Sequence, residues 1–256
     1  MGTVVLKRSF LHARTGVRRR LDLLLPGPWE DPVPIRGWLV EHAGERILVD
    51  MGETAEVKDA PFARHSVTLA DELPAALRGL GLGCGEVTMA LTTHLHPDHF
   101  HGAVHLDIPV QVNEVEWEDA MSRRGRVIQR LTGVRLPGAI DFRVIRLDDG
   151  PFGAFARSRP LTADGRIVMV STPGHTRGHT SVIAVDDQGR HVMLAGDTTD
   201  TLEQLRARRA DPITPDPESQ RQTIDRIQAH AREHPTIYLP THDPGSEARL
   251  EAGETL

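Results

Sequence analysis

Four side chains able to bind a metal ion fall within six positions: His94-Leu95-His96-Pro97-Asp98-His99. The run follows an apolar stretch, Val87 to Thr93, that reads as a β-strand. Extended spacing sends side chains two apart to the same face, so His94 and His96 can share one ion. Pro97 cannot continue a strand ladder and suits the first turn of a helix, which turns Asp98 and His99 towards a neighbouring position. Three more candidates stand where predicted strands end: Pro173-Gly174-His175, Gly196-Asp197 and Pro240-Thr241-His242. The glycines before His175 and Asp197 fit close backbone turns that aim a side chain at an ion. Five imidazoles and two carboxylates then fill two low-coordinate sites, His94, His96 and His175 in one and Asp98, His99 and His242 in the other, with Asp197 bridging. Such nitrogen and oxygen ligands suit zinc and do not exclude iron, cobalt or manganese. Taken singly, His175, Asp197 or His242 would be read as a core or surface residue; it is their joint placement after strand ends that favours ligation.

These groups need strands that deliver them to one rim, and apolar, β-branched runs bounded by turn residues supply them. The runs are Ile35 to His42, Arg46 to Asp50, Val87 to Thr93, Ile108 to Asn113, Arg166 to Thr172, Thr180 to Val185, His191 to Ala195 and Thr236 to Leu239. Ala43-Gly44-Glu45 and Asp186-Asp187-Gln188-Gly189 read as hairpin connections, so each half contains antiparallel pairing. Helical spacing predicts helices over Leu69 to Leu80, Glu114 to Leu131, Leu202 to Arg209 and Glu218 to Glu233, the last capped by Asp216 with Pro217 at its first position. Arg135 to Arg159 carries no strong period, and residues 243–256 read as a loosely held tail. In open α/β sheets, ligand sites gather at the carboxyl ends of strands, where all seven candidates stand. One domain spanning 1–256 is the economical reading.

Composition narrows the partners. Thirty basic against 36 acidic side chains, interspersed in sign, give a net charge of −6, so no basic field exists to hold nucleic acid. The chain has one cysteine, Cys84, which excludes both an intramolecular disulfide framework and a thiolate-built zinc site. No apolar run approaches a membrane span and the first residues lack a secretion signal, so a soluble cytoplasmic protein is expected. The oligomeric state does not follow from the sequence; a homodimer is compatible with it.

Other residues carry a functional reading beside a plainer one. His179, His101 and His105 could support metal-bound neighbours or simply be hydrogen-bonded. Asp50 could orient a metal-bound histidine, and equally could form a turn before Gly52. Arg18-Arg19-Arg20 and Arg206 to Arg209 read as solvated charge, Trp29, Trp38 and Trp117 as core or edge packing, Tyr238 as packing within a strand, and Cys84 as an inert loop thiol.

The run from His94 to His99, followed by Thr172-Pro173-Gly174-His175-Thr176-Arg177-Gly178-His179, then Gly196-Asp197 and His242, resembles the metallo-β-lactamase superfamily. Within it, the hairpin Trp38-Leu39-Val40-Glu41-His42 to Ile47-Leu48-Val49-Asp50-Met51-Gly52, the segment Val112 to Ala120 and the stretch Asp216 to Asp243 are most similar to the N-acyl homoserine lactonases, the quorum-quenching group. The resemblance implies an α/β fold, the αβ/βα four-layer sandwich of two mixed sheets flanked by helices. It also implies a dinuclear metal centre between the sheet tips, with His175 and not His179 as the ligand of the double-histidine motif. Two positions depart from the pattern. Asp200 stands where those lactonases carry a tyrosine that helps hold the lactone oxygen, and Phe100-His101 stands where Ala-Gly is more usual.

The expectation is a metal-dependent hydrolase. Two ions roughly 3.5–4 Å apart would hold a bridging hydroxide, one of them polarising the substrate carbonyl. Asp98 would orient the nucleophile and carry its proton to the leaving oxygen. By resemblance the substrate is a lactone or similar small ester, with acyl homoserine lactone leading. The alternatives are a hydrolase of another ester or phosphoester, a mononuclear iron oxygenase acting on a thiol or persulfide, and a catalytically idle binding module. A thiolate-dependent β-lactamase is disfavoured because no cysteine lies near the ligand positions.

Overall fold

The computed structural model describes residues 4–15, 32–58, 63–132, 136, 138–211 and 214–256. Arg18 to Arg20 and Trp29 lie outside these described residues. The elements run β1 (Val4–Thr15), β2 (Val33–His42), β3 (Glu45–Val49), β4 (Ala63–His65), α1 (Leu73–Arg78), β5 (Met89–Leu91), α2 (Pro97–Phe100), β6 (Val110–Asn113), α3 (Glu114–Met121), α4 (Arg123–Thr132), β7 (Phe142–Ile145), β8 (Ser158–Pro160), β9 (Ile167–Ser171), β10 (Thr180–Val185), β11 (His191–Gly196), α5 (Leu202–Arg206), α6 (Pro217–Glu233), β12 (Thr236–Pro240) and α7 (Ser246–Ala252). They form a seven-stranded sheet of order β4-β1-β2-β3-β5-β6-β7 and a five-stranded sheet of order β12-β11-β10-β9-β8.

Period-2 alternation builds the layers. Ile47 and Val49 face the core between the sheets, together with Trp38, Val40 and Leu91, and meet Met169, Val182, Val192, Leu194, Ile237 and Leu239 from the other sheet. Leu48, between Ile47 and Val49, points the other way and packs with Leu73, Leu77 and Phe100 under α1 and α2. Met193 and Tyr238 likewise turn outward to meet Leu202, Leu205, Ile224 and Ile227 of α5 and α6. The result is helix, sheet, sheet, helix: the αβ/βα sandwich with mixed sheets, since β3-β5-β6-β7 and β11-β12 pair in parallel and the remaining strand pairs are antiparallel.

Both expected hairpins form. The β2–β3 turn places Ala43 and Gly44 at φ of 52° and 86°, the two positive dihedrals of a turn whose twist suits a hairpin. α6 starts as the sequence predicts, with the Asp216 carboxylate accepting the Ser219 N–H at 3.0 Å.

Four expectations change. The helix read from Leu69 begins at Leu73, because Pro74 has no N–H to give and belongs in the first turn; Leu69 is 75% exposed. The helix read over Glu114 to Leu131 is two, broken where Ser122 leaves the helical conformation and its hydroxyl accepts the Gly125 N–H. The unassigned region holds β7 and β8. Residues 243–256 are not loose: α7 docks through buried Arg249, which donates to the Tyr238 carbonyl at 2.8 Å and to the Asp243 carboxylate at 2.9 Å, and Leu256 N–H bonds the Thr236 carbonyl.

At the amino end of β11, His191 Nδ1 and His230 Nε2 lie 2.8 Å apart, both rings buried and each pKa pushed down to about 4, chiefly by that burial. Folded-state values below the ordinary 6.5 mean that stability is full above pH 6.5 and is lost as pH falls towards 4. Urea unfolding of wild type and His230→Gln across this window should show the wild type losing stability the faster as pH falls. Parallel curves would contradict the buried neutral pair.

Candidate metal centre

The carboxyl ends of β5, β9, β11 and β12 share one rim. β9 and β11 both run antiparallel to β10 and so lie in one direction, and β12 runs parallel to β11. The residues that follow these strands converge. Asp197 Oδ2 lies 3.3 Å from Nε2 of His99, of His175 and of His242, and 3.7 Å from Nε2 of His94. His96 Nδ1 is 2.9 Å from His175 Nε2, and Asp98 Oδ2 is 3.5 Å from His242 Nε2 and 3.8 Å from His99 Nε2. The donors divide into two groups able to hold an ion, His94, His96, His175 and Asp197 in one and Asp98, His99 and His242 in the other. All seven residues singled out in the sequence are therefore brought together.

The donor set fits divalent metal. Ligands bound at about 2.0–2.2 Å around a tetrahedral ion stand roughly 3.3–3.6 Å apart, which matches the 3.3 Å separations at Asp197 and exceeds good hydrogen-bond length. Nε2 of His94 and of His99 and Oδ1 of Asp197 are buried without hydrogen-bond partners, an arrangement that is costly unless something else satisfies them. The charges agree. Burial opposes ionisation of Asp197 and Asp98, yet His99 and His242 hold both carboxyls below the usual range, Asp197 well below it. Burial also disfavours the charged form of His242, but Asp197 outweighs it and raises the imidazole to about 9. His99 is raised well above its ordinary value by Asp197, Asp50 and Asp98 against its burial, and His175 is raised by Asp211 and Asp197 against the same penalty. In His94 and His96 burial prevails and the pKa falls, in His96 to about 4. Without a cation, the aspartates are thus compensated by protonated imidazoles, a role that bound metal would take over.

Supporting bonds fix the rings of His99 and His242. Asp50, at φ 58°, accepts His99 Nδ1 at 2.8 Å, the Thr93 N–H at 2.8 Å and the Thr93 hydroxyl at 2.9 Å. The aspartate orients a histidine, and does so from a left-handed backbone at a strand end. His242 Nδ1 donates to the Pro34 carbonyl at 2.8 Å. The loop that carries His242 is held by buried Arg36, which donates to the carbonyls of Thr241 and Asp243. His179 is neutral, its pKa pushed down to about 3 by burial; Nε2 accepts the Asp197 N–H at 3.0 Å and Nδ1 faces Thr172. It therefore positions Asp197 from outside the donor cluster, and His175 stands inside it. Gly196, at φ 57°, has no room for a Cβ, which would come within 2.7 Å of His179 Nε2.

Other singled-out residues resolve more simply. Tyr238 is buried, its hydroxyl bonded to Thr198 and Thr199. Trp38 lies in the inter-sheet core and Trp117 packs on Phe142. Phe100 is buried, while His101 pairs with buried Glu53 at 2.7 Å and His105 with Glu72 at 2.9 Å. Asp200 is held by Gln204, and burial, with Asp211 and Asp197 nearby, pushes its carboxyl up to about 6. Glu116 and Asp211 escape sequence reasoning: the first looks like the third residue of a helix cap after Asn113, and nothing local ties the second, 3.3 Å from His175 Nδ1, to a histidine 36 positions earlier.

A family profile described as the metallo-beta-lactamase superfamily matches residues 31–242. The chain belongs to the metallo-beta-lactamase superfamily. It is 22% identical over 241 residues to the N-acyl homoserine lactonase AttM of Rhizobium radiobacter, covering 87% of this chain and 86% of that protein. It is 32% identical over 173 residues to a probable metallo-hydrolase of Mycobacterium tuberculosis, 62% of this chain and 54% of that one. Among solved structures, an N-acyl homoserine lactone hydrolase with N-hexanoyl-L-homoserine bound at its catalytic metal centre superposes with a TM-score of 0.75 at 20% identity, over 95% of this chain and 94% of the other. Superfamily membership and these relatives make the chain a metallo-hydrolase. Among the described residues, no helix is long and apolar enough to cross a membrane.

Proposed function

We propose that the chain is a dinuclear metal-dependent hydrolase that opens a lactone or similar small carboxylic ester, with acyl homoserine lactone as the leading substrate. The observation that carries this reading is the placement of Asp197 Oδ2 3.3–3.7 Å from imidazole nitrogens of both donor groups, where one oxygen can serve two ions. His94, His96 and His175 would hold one ion, Asp98, His99 and His242 the other, and Asp197 both. When bound, such a pair supplies Lewis acidity towards a carbonyl and lowers the pKa of water; zinc suits the ligand set.

The protein's own groups direct the rest. Half-buried Asp98 stands at the edge of the cluster, its Oδ2 3.5 Å from His242 Nε2 and 3.8 Å from His99 Nε2, and as a carboxylate it can accept a proton from the attacking water. Water adds to the carbonyl carbon, the ring C–O bond breaks, and Asp98 returns the proton to the departing oxygen. The products are a carboxylic acid and an alcohol within one molecule. Tyr238 is occupied with Thr198 and Thr199 and stands apart from these steps. Asp200 brings a carboxyl to the site's border in place of a phenol, which favours substrates whose group at that point donates hydrogen bonds.

The reading is tested by incubating zinc-loaded protein with hexanoyl homoserine lactone and following acid release at constant pH. Turnover that chelation abolishes and zinc restores is expected. Metal-independent opening, or turnover of phosphoesters with none of lactones or carboxylic esters, would overturn it.

A further inference from the structure

Glu116 is 5% exposed and lies in the first turn of α3. Its carboxylate has three donors, none a cation: Oε1 accepts the Leu95 N–H at 2.9 Å, while Oε2 accepts the Thr176 hydroxyl at 2.7 Å and the Gly178 N–H at 3.1 Å. Leu95 is the residue between His94 and His96, and Thr176 follows His175. One side chain therefore ties together the two loops that supply the imidazoles of the first donor group. The junction is tight on the other side as well. Asn113 donates to the Gly178 carbonyl at 2.7 Å, and a Cβ at Gly178 would come within 2.1 Å of the Glu116 nitrogen. Among the described residues, no bond of Glu116 reaches Asp98, His99 or His242 directly, although Asp98 and His99 follow Leu95 in the same run.

We infer that Glu116 is a positioning residue that sets the spacing of His94 and His96 against His175, and so controls occupancy of that metal site more strongly than of its neighbour. The inference rests on the proposed dinuclear centre. Removing the carboxylate leaves the Leu95 and Gly178 N–H groups buried without acceptors and frees the loops to separate. Groups that orient metal ligands typically contribute 10–100-fold in affinity. Glutamine is the graded case. Its carbonyl oxygen can still accept from Leu95 and its amide can donate to the Thr176 hydroxyl, so only Gly178 loses its partner.

The experiment titrates zinc into metal-free wild type, Glu116→Ala, Glu116→Gln, His242→Ala and the double variant Glu116→Ala/His242→Ala against a competing chelator. Wild type should hold two zinc ions. Glu116→Ala should keep one near wild-type affinity and bind the second 10–100-fold more weakly, with Glu116→Gln between them. His242→Ala should lose the other site, so the double variant should bind neither ion tightly. A merely structural role would weaken both sites together and would not single out one. Two ions bound by Glu116→Ala at wild-type affinity would overturn the inference alone, as would a double variant that still holds one ion tightly. Fewer than two ions on wild type would overturn the dinuclear reading and this inference with it. Should Glu116→Ala not fold, Glu116→Gln and its double variant with His242→Ala carry the same comparison.

Discussion

Asp98→Asn is expected to lower kcat for lactone opening by about 10²–10⁴, the range that a positioned acid–base group supplies, while leaving most of the metal in place. The two effects separate because of geometry. His99 and His242 approach Asp197 Oδ2 more closely, at 3.3 Å each, than they approach Asp98, at 3.8 and 3.5 Å, so the second donor group is anchored chiefly through Asp197. Asparagine has the same shape and keeps an oxygen in place as a ligand, but it cannot accept and return a proton. The measurement is metal per chain and kcat on one sample at saturating zinc, so that weakened binding does not count as lost chemistry. Parallel loss of metal and kcat would show that Asp98 acts only as a ligand.

The second large effect is expected at Asp50, which is not itself one of the seven donors but bonds one of them. Its carboxylate receives His99 Nδ1–H at 2.8 Å, which leaves Nε2 as the ring nitrogen with a free lone pair, and Nε2 is the atom that faces Asp197 at 3.3 Å. In Asp50→Asn one side-chain position becomes an NH2 donor. If the Asn oxygen keeps the Thr93 N–H, the amide faces His99 and selects the opposite tautomer, with the proton on Nε2, which then cannot bind a metal. The backbone is spared, since asparagine tolerates the φ of 58° that this position requires. Asp50→Asn should therefore fold and should bind the ion held by Asp98, His99 and His242 10–100-fold more weakly. Asp50→Ala adds the strain of a left-handed alanine and leaves the Thr93 N–H and His99 without an acceptor, so about 3–5 kcal/mol of stability should go with it. Chelator titration and urea unfolding distinguish the two variants. An Asp50→Asn protein with unchanged metal affinity would contradict the tautomer argument.

How far the site could be read from the sequence depends on distance along the chain. His94, His96, Asp98 and His99 are legible because extended spacing, a proline and a short turn place them by local rules alone. His175, Asp197 and His242 are legible as residues that follow apolar strands, and the structure does bring those strand ends to one rim. What holds these groups is far harder to see. Asp50 reaches His99 across 49 positions, and Glu116 reaches Gly178 across 62. No local pattern distinguishes such a carboxylate from a turn former or a helix cap. The same limit hides Arg249, whose sequence neighbourhood is polar but whose guanidinium is buried against Tyr238 and Asp243. The layers themselves follow from alternation, as Ile47, Leu48 and Val49 show by facing opposite cores in turn. β7 and β8 lack that signal because exposed positions interrupt them, and β-strand pairing rather than periodicity decides their state.

In the proposed centre one carboxylate oxygen, Asp197 Oδ2, would join two metal ions. The most direct test is a crystal structure of zinc-loaded protein with anomalous data collected on either side of the zinc absorption edge. Two anomalous peaks are expected about 3.5–4 Å apart, one beside His94, His96 and His175 and one beside Asp98, His99 and His242, with Asp197 in contact with both. A single peak, or two peaks of which only one contacts Asp197, would contradict the proposed centre.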